Sequence, residues 1–138
     1  MQGLSISISN DLTGRSSVSG GADYGTYVDE MITRANALSY TLPSNATLTD
    51  LQNRLSNIGS LTLNKLDVLH IYSSDAGTMD FFTLNVVAPT TNQATLVNSP
   101  TSSKLGIATD GSTNYIDSGF DPYNDSTNFT LNDNHYGF

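Results

Sequence analysis

The run Lys65-Leu66-Asp67-Val68-Leu69-His70-Ile71-Tyr72 decides how this chain is read. Leu66, Val68, Leu69, Ile71 and Tyr72 crowd into seven positions, the densest branched and aromatic run in the sequence. A short apolar run of this kind, bounded by Asn64 and by Ser73-Ser74-Asp75, reads as a strand buried on both faces. Working outward, the residues before it suggest a short strand and two helices. The residues after it suggest brief strands and polar turns.

Upstream, Leu4-Ser5-Ile6-Ser7-Ile8-Ser9 alternates apolar and hydroxyl side chains, the period of a strand with one dry face. It is expected either as an edge strand of this chain's own sheet or as an assembly anchor. In the second case Leu4, Ile6 and Ile8 would add to a neighbouring subunit's sheet edge. Residues 11–22 are rich in Gly and Ser and form a linker by composition.

Tyr24, Tyr27, Val28, Met31, Ile32, Ala35 and Leu38 then follow helical spacing, with Tyr27, Val28, Met31 and Ile32 as the packing face. Asp23 is placed to cap this helix and Pro43 to end it. A second helix is expected over about 48–58. Thr47-Leu48-Thr49-Asp50 approximates its capping box, Leu48, Leu51, Leu55 and Ile58 form its stripe, and Gly59 is its stop. Helices this short need a larger partner, and the strand at 66–72 is the natural one.

Downstream, Met79–Val87 carries mixed signals and is read as a short helix or irregular segment. Strand candidates are Ala94–Val97, Lys104–Ala108, Tyr115–Asp117, Asn128–Leu131 and Tyr136–Phe138, with turns at Asp110-Gly111 and Ser118-Gly119. The fold class is therefore α+β: residues 1–22 as strand and linker, 23–64 as helical hairpin, and 65–138 as a β-rich segment. Strands at this spacing indicate a sandwich or barrel. From residue 94 they number about five, short of the seven or more of a closed sandwich. The sheet is expected to be completed by other subunits or, preferably, by further chain.

Composition narrows the function classes. Charged residues make up 13% of the chain, about half the usual quarter. The net charge of −8 offers no basic patch for nucleic acid. There is no cysteine, hence no disulfide or thiolate metal site. No apolar run approaches the roughly 20 residues of a membrane span, and the N-terminus lacks the pattern of a secretory signal. Synthesis in a cytoplasm is the expectation.

The catalytic inventory is sparse. His70 and His135 lie far apart, without HExxH spacing, and His70 reads as a hydrogen-bonded core residue. No GxSxG elbow, P-loop or GxGxxG is present, so an enzyme is not expected. Asp117, Asp121, Asn124 and Asp125 are oxygen donors of the type calcium accepts, although their spacing is not that of an EF-hand. The same residue types also stabilise tight turns, the favoured reading; beyond that calcium candidate no cofactor is expected.

The order of several segments carries a family resemblance. KLDVLHIY (65–72), FTLN (82–85), NQATLVNSP (92–100), DGSTNYIDSGFDP (110–122) and NFTLND (128–133) follow one another at the spacing of a family of tailed-phage and prophage proteins from Bacteroidetes phages. GLSISIS (3–9) and LSYTLPS (38–44) also resemble that family's leader. The chain departs from the family at Val86, where an aromatic is usual, and at Thr109-Asp110-Gly111, which replaces a Gly-Asn-Gly turn.

The resemblance implies a leader followed by a concanavalin A-like (laminin G-like) lectin sandwich, here incomplete. It further implies a virion structural protein: a head fibre, capsid decoration or tail-fibre component. Its partners would be other virion proteins and copies of itself, most simply as a homotrimer. Host-surface glycan binding is the alternative role.

Overall fold

A computed structural model describes residues 25–72, 75, 77–103 and 106–128. The described chain is α+β, with three helices, a 3₁₀ turn and four three-residue strands.

Helix α1 spans Thr26–Ala37 and buries Val28, Met31 and Ala35, while Tyr27 and Ile32 pack half-buried beside them. The spacing of the buried residues is that of one helical face, so the packing face read from the sequence points inward. Its end differs from expectation. Ser39 adopts a left-handed φ of 59°, Ser39 N donates to Asn36 O (3.1 Å), and Tyr40 N donates to Ala35 O (2.9 Å). This Schellman closure satisfies the last carbonyls four residues before Pro43, so proline is not what stops the helix. Asp23 and Tyr24 lie outside the described residues.

Helix α2 spans Asn45–Ile58, beginning three residues earlier than the pattern suggested. Ser44 is the cap, its Oγ accepting from Thr47 N. Asp75 reinforces it from 28 residues away along the chain, accepting from the Thr47 hydroxyl and also from Ser44 N, both at 2.8 Å. Asp50, expected in a capping box, instead receives a hydrogen bond from Arg54 Nε (2.7 Å) one turn on. Leu48, Leu51 and Leu55 are buried, but Ile58 is 40% exposed and leaves the stripe. Gly59, with φ of 82°, breaks the helix where an L-residue would be strained. A one-turn helix α3, Ser60–Leu63, follows and buries Leu63. Tyr27 OH donates to Asn64 Oδ1 (2.8 Å), pinning the start of α1 to the end of α3.

The run at 66–72 is not a strand, which corrects the sequence reading. It carries no regular secondary structure, bends at Asp67, and is only half-buried along its length. Leu66, Leu69 and Ile71 pack against the core from its margin. Strand structure needs an adjacent strand, and among the described residues the backbone bond from this run to segment 84–87 is Val86 N to Leu69 O (2.9 Å).

The core lies instead at Phe81–Val86, six consecutive buried residues that begin within a 3₁₀ turn, Met79–Thr83. Phe81 and Phe82 meet edge-to-face at 5.2 Å. Full burial contributes roughly 1.5–3 kcal/mol for each of Phe81, Phe82, Leu84 and Val86. That sum exceeds what a half-buried run of similar length provides. One apolar cluster joins these four to the inward faces of α1, α2 and α3.

The strands are β1 (Thr95–Val97), β2 (Thr101–Ser103), β3 (Gly106–Ala108) and β4 (Tyr115–Asp117). β1 pairs antiparallel with β4 and β2 with β3. The pairings are nested, with Val97 opposite Tyr115 and Thr101 opposite Ala108, so the four strands form one long hairpin interrupted in both arms. One arm breaks at Asn98-Ser99, both at positive φ, and the other at residues 109–114. Asn98 Nδ2 donates to Thr113 O (2.7 Å) across the break. Among the described residues the sheets are two-stranded. β2 had no signal in the sequence reading. Asn128 falls outside the strands, and residues 129–138 lie outside the described residues.

Candidate functional site

The run 66–72 meets the segment 84–87 at a junction held by side-chain and backbone hydrogen bonds. Asn85 stands at its centre with no exposed surface. Its Oδ1 accepts from Leu69 N (3.1 Å) and Val87 N (3.3 Å), and its Nδ2 donates to Asp67 O (3.1 Å). A side-chain amide thus serves Asp67 and Leu69 as a neighbouring strand's backbone would.

Asp67 and His70 extend the junction toward the hairpin. The Asp67 carboxylate accepts from Thr127 N and Asn128 N, both at 2.9 Å, and from Asn128 Nδ2 (3.2 Å). This fastens residues 127–128 to a point 60 positions earlier. His70 Nδ1 lies 3.3 Å from Leu84 O and Nε2 lies 3.3 Å from Ser118 O. Neutral imidazole can donate to only one of these carbonyls. Burial nevertheless dominates and holds the His70 pKa below its ordinary value, the carbonyls of Ser118, Leu84 and Asn92 opposing it. Tyr72, two residues on and on the same face, stacks with His70 at 5.7 Å, and burial raises its phenol pKa. His70 is therefore a half-buried residue bridging two carbonyls, close to the bonded core histidine read from the sequence.

The acidic loops do local work. The Asp110 carboxylate accepts from the Thr113 hydroxyl (2.6 Å) and from the backbone of Asn114, Ser112 and Thr113. These donors hold its pKa far below the usual carboxylate range. Of the four calcium candidates, Asp117 Oδ1 accepts from Gly119 N (3.0 Å) and Asp125 Oδ2 from Asp121 N (2.9 Å). Asp121 accepts from Tyr123 N and from the Asn124 side-chain amide, which lower its pKa. Asp121, Asn124 and Asp125 are thus joined in one tight turn, while Asp117 serves the adjacent one. Among the described residues no group of three or more His, Cys, Asp or Glu side chains is placed to hold a metal. These turns present Tyr123 with 92% of its surface exposed.

No protein-family model, curated protein or solved structure matches this chain.

The anchor residues Leu4, Ile6 and Ile8, and also His135, lie outside the described residues. Tyr27, Val28, Met31 and Ile32 come together as one face of α1, against the core. The sequence reading missed Asn85 and the long-range use of Asp67 and Asp75. For Asn85 and Asp67 the one available signal was a polar residue inside an apolar run, Asn85 between Leu84 and Val86 and Asp67 between Leu66 and Val68; Asp75, among Ser and Gly, had none. Such residues must find partners when the run is buried.

Proposed function

We propose that this protein is a structural component of a tailed-phage particle, a head fibre, capsid decoration or tail-fibre protein. In this reading it anchors an outward β-rich domain to other virion proteins. The observation that carries the reading is the ordered series of segments from KLDVLHIY to NFTLND, in the order and spacing of the phage family. The alternating Leu4, Ile6 and Ile8 and the Gly/Ser linker supply an anchor on a tether.

The interrupted hairpin supports the same reading. Among the described residues the ribbon is two-stranded, a form marginal alone that suits completion by further strands. Those strands would come from a concanavalin A-like sandwich or from other copies in a homotrimer. The test is mass spectrometry of purified particles of the encoding phage. Peptides of this chain are expected at a stoichiometry of several copies per particle; their absence would refute the reading.

A second reading is host-surface glycan binding. It is favoured by Tyr123 and by Tyr115, 53% exposed, two aromatic faces presented on the β-rich side. A glycan array of the full-length product, with and without calcium, tests it. A flat response in both conditions leaves only the structural role.

A further inference from the structure

Two large apolar side chains flank the break at Gly59 and stay in solvent. Ile58 ends α2 and is exposed, and Leu61 in α3 is 83% exposed. Residues 55–64, which include both, carry no charged side chain.

The chain enters the fold beside this patch. A Cβ at Gly25 would lie 2.7 Å from Gln52 Nε2, so the backbone there touches an α2 side chain. Gln52 Nε2 in turn donates to Ser56 Oγ (3.0 Å), two residues before Ile58. From the other side, Tyr27 OH reaches Asn64, three residues past Leu61. Residues 1–24 are thus tethered at a point between Gln52 and Asn64. Six helical residues separate Gln52 from Ile58, about 9 Å. The sixteen residues between Ile8 and Gly25 are rich in Gly and Ser, and a chain of that length and composition reaches about 20–24 Å.

We propose that Leu4, Ile6 and Ile8 dock on Ile58 and Leu61 of the same chain in the free protein, covering the assembly anchor until a partner takes it. Three observations select this occupant. Residues 1–10 carry no charged side chain, which matches the uncharged surface around Ile58 and Leu61. Their alternation gathers the apolar side chains on one face of an extended segment. Two exposed side chains fall far short of the roughly 800 Å² per partner of a standard interface between separate molecules. A short tether removes that requirement, because it holds the segment at about millimolar local concentration. The contact stands without the virion reading; only its role as a brake on assembly rests on that reading.

The chain has no cysteine, so Ser7→Cys, on the hydroxyl face of the segment, takes a single nitroxide label without altering an apolar side chain. In the full chain, paramagnetic relaxation should bleach the amides of residues 57–62 selectively, and equally at high and low protein concentration. Leu61→Asp, a change at an exposed site that keeps the wild-type circular dichroism, should restore those signals. Ile6→Ser should restore them from the segment's side, without touching the helices. Absence of selective bleaching at 57–62, bleaching along β1 or β4 in its place, or bleaching unchanged in both variants would overturn the inference. Bleaching that fades on dilution would overturn it as well, because it marks a second copy of the chain. Mass spectrometry of particles decides the virion reading separately, so the two can fail independently.

Discussion

Replacing Asn85 by alanine tests the junction directly. The substitution removes the partner of Leu69 N, Val87 N and Asp67 O at once. A net hydrogen bond is worth about 1 kcal/mol, so the three together amount to about 3 kcal/mol. Penetration of water along the half-buried run 66–72 lowers this figure, and the void left by the amide raises it. Against a total stability of roughly 5–15 kcal/mol the loss is large, and it corresponds to about 10–15 °C in melting temperature. Urea unfolding can be followed by circular dichroism for the helices. Tyrosine fluorescence provides a second probe, the chain having seven tyrosines and no tryptophan. Asn85→Asp sharpens the test. It keeps the acceptor, but places a buried carboxylate against the Asp67 carbonyl. Burial raises the folded-state pKa of that carboxyl above its unfolded value, so the variant gains stability relative to wild type as pH falls and the acid can donate. An Asn85→Ala protein within about 1 kcal/mol of wild type, or an Asn85→Asp protein with no such recovery, would show that the amide does not hold the run in place.

Three further outcomes follow from geometry already described. His70 has a folded pKa below its unfolded value, so its contribution is complete above about pH 6.5 and declines as pH drops below that; the urea midpoint of wild type should fall in that window relative to His70→Asn. Gly119 has φ of 66°, and a Cβ there would sit 2.5 Å from the Gln93 carbonyl oxygen; Gly119→Ala should cost about 2–4 kcal/mol, read as a lower melting temperature with faster amide exchange in β1 and β4. Asp75→Ala releases Ser44 N and the Thr47 hydroxyl from the start of α2, costing about 1–2 kcal/mol, with faster amide exchange in residues 44–48 as the local readout.

The helices and turns were legible because their determinants are local. Val28, Met31 and Ala35 in α1, and Leu48, Leu51 and Leu55 in α2, are spaced by the helix period itself, and Gly59 marks a stop by its own backbone freedom. The errors arose where a distant residue outcompeted a local one. Asp75 helps fix the start of α2 at Ser44, so Asp50 was free to meet Arg54. Ser39 closed α1 before Pro43 could act, and a serine in left-handed conformation gives little warning in sequence.

Residues 65–72 show why composition alone can misplace a core. Branched and aromatic side chains favour extended backbone, but composition cannot supply a neighbour for the run. The chain meets that need with one buried amide rather than a strand. The apolar density that looked central then sits at the margin of Phe81–Val86. The arrangement makes Asp67, Leu69 and His70 connectors. Their backbone and side chains run inward to Asn85 and Leu84 and outward to Ser118 and residues 127–128. On the proposed virion reading, this is how an anchored helical leader would hold an outward hairpin in fixed orientation. Two ties from one short run, Asp67 to residues 127–128 and His70 to Ser118, resist rotation about either one alone. Loosening Asn85 should therefore disturb the hairpin's position as well as the stability of the core.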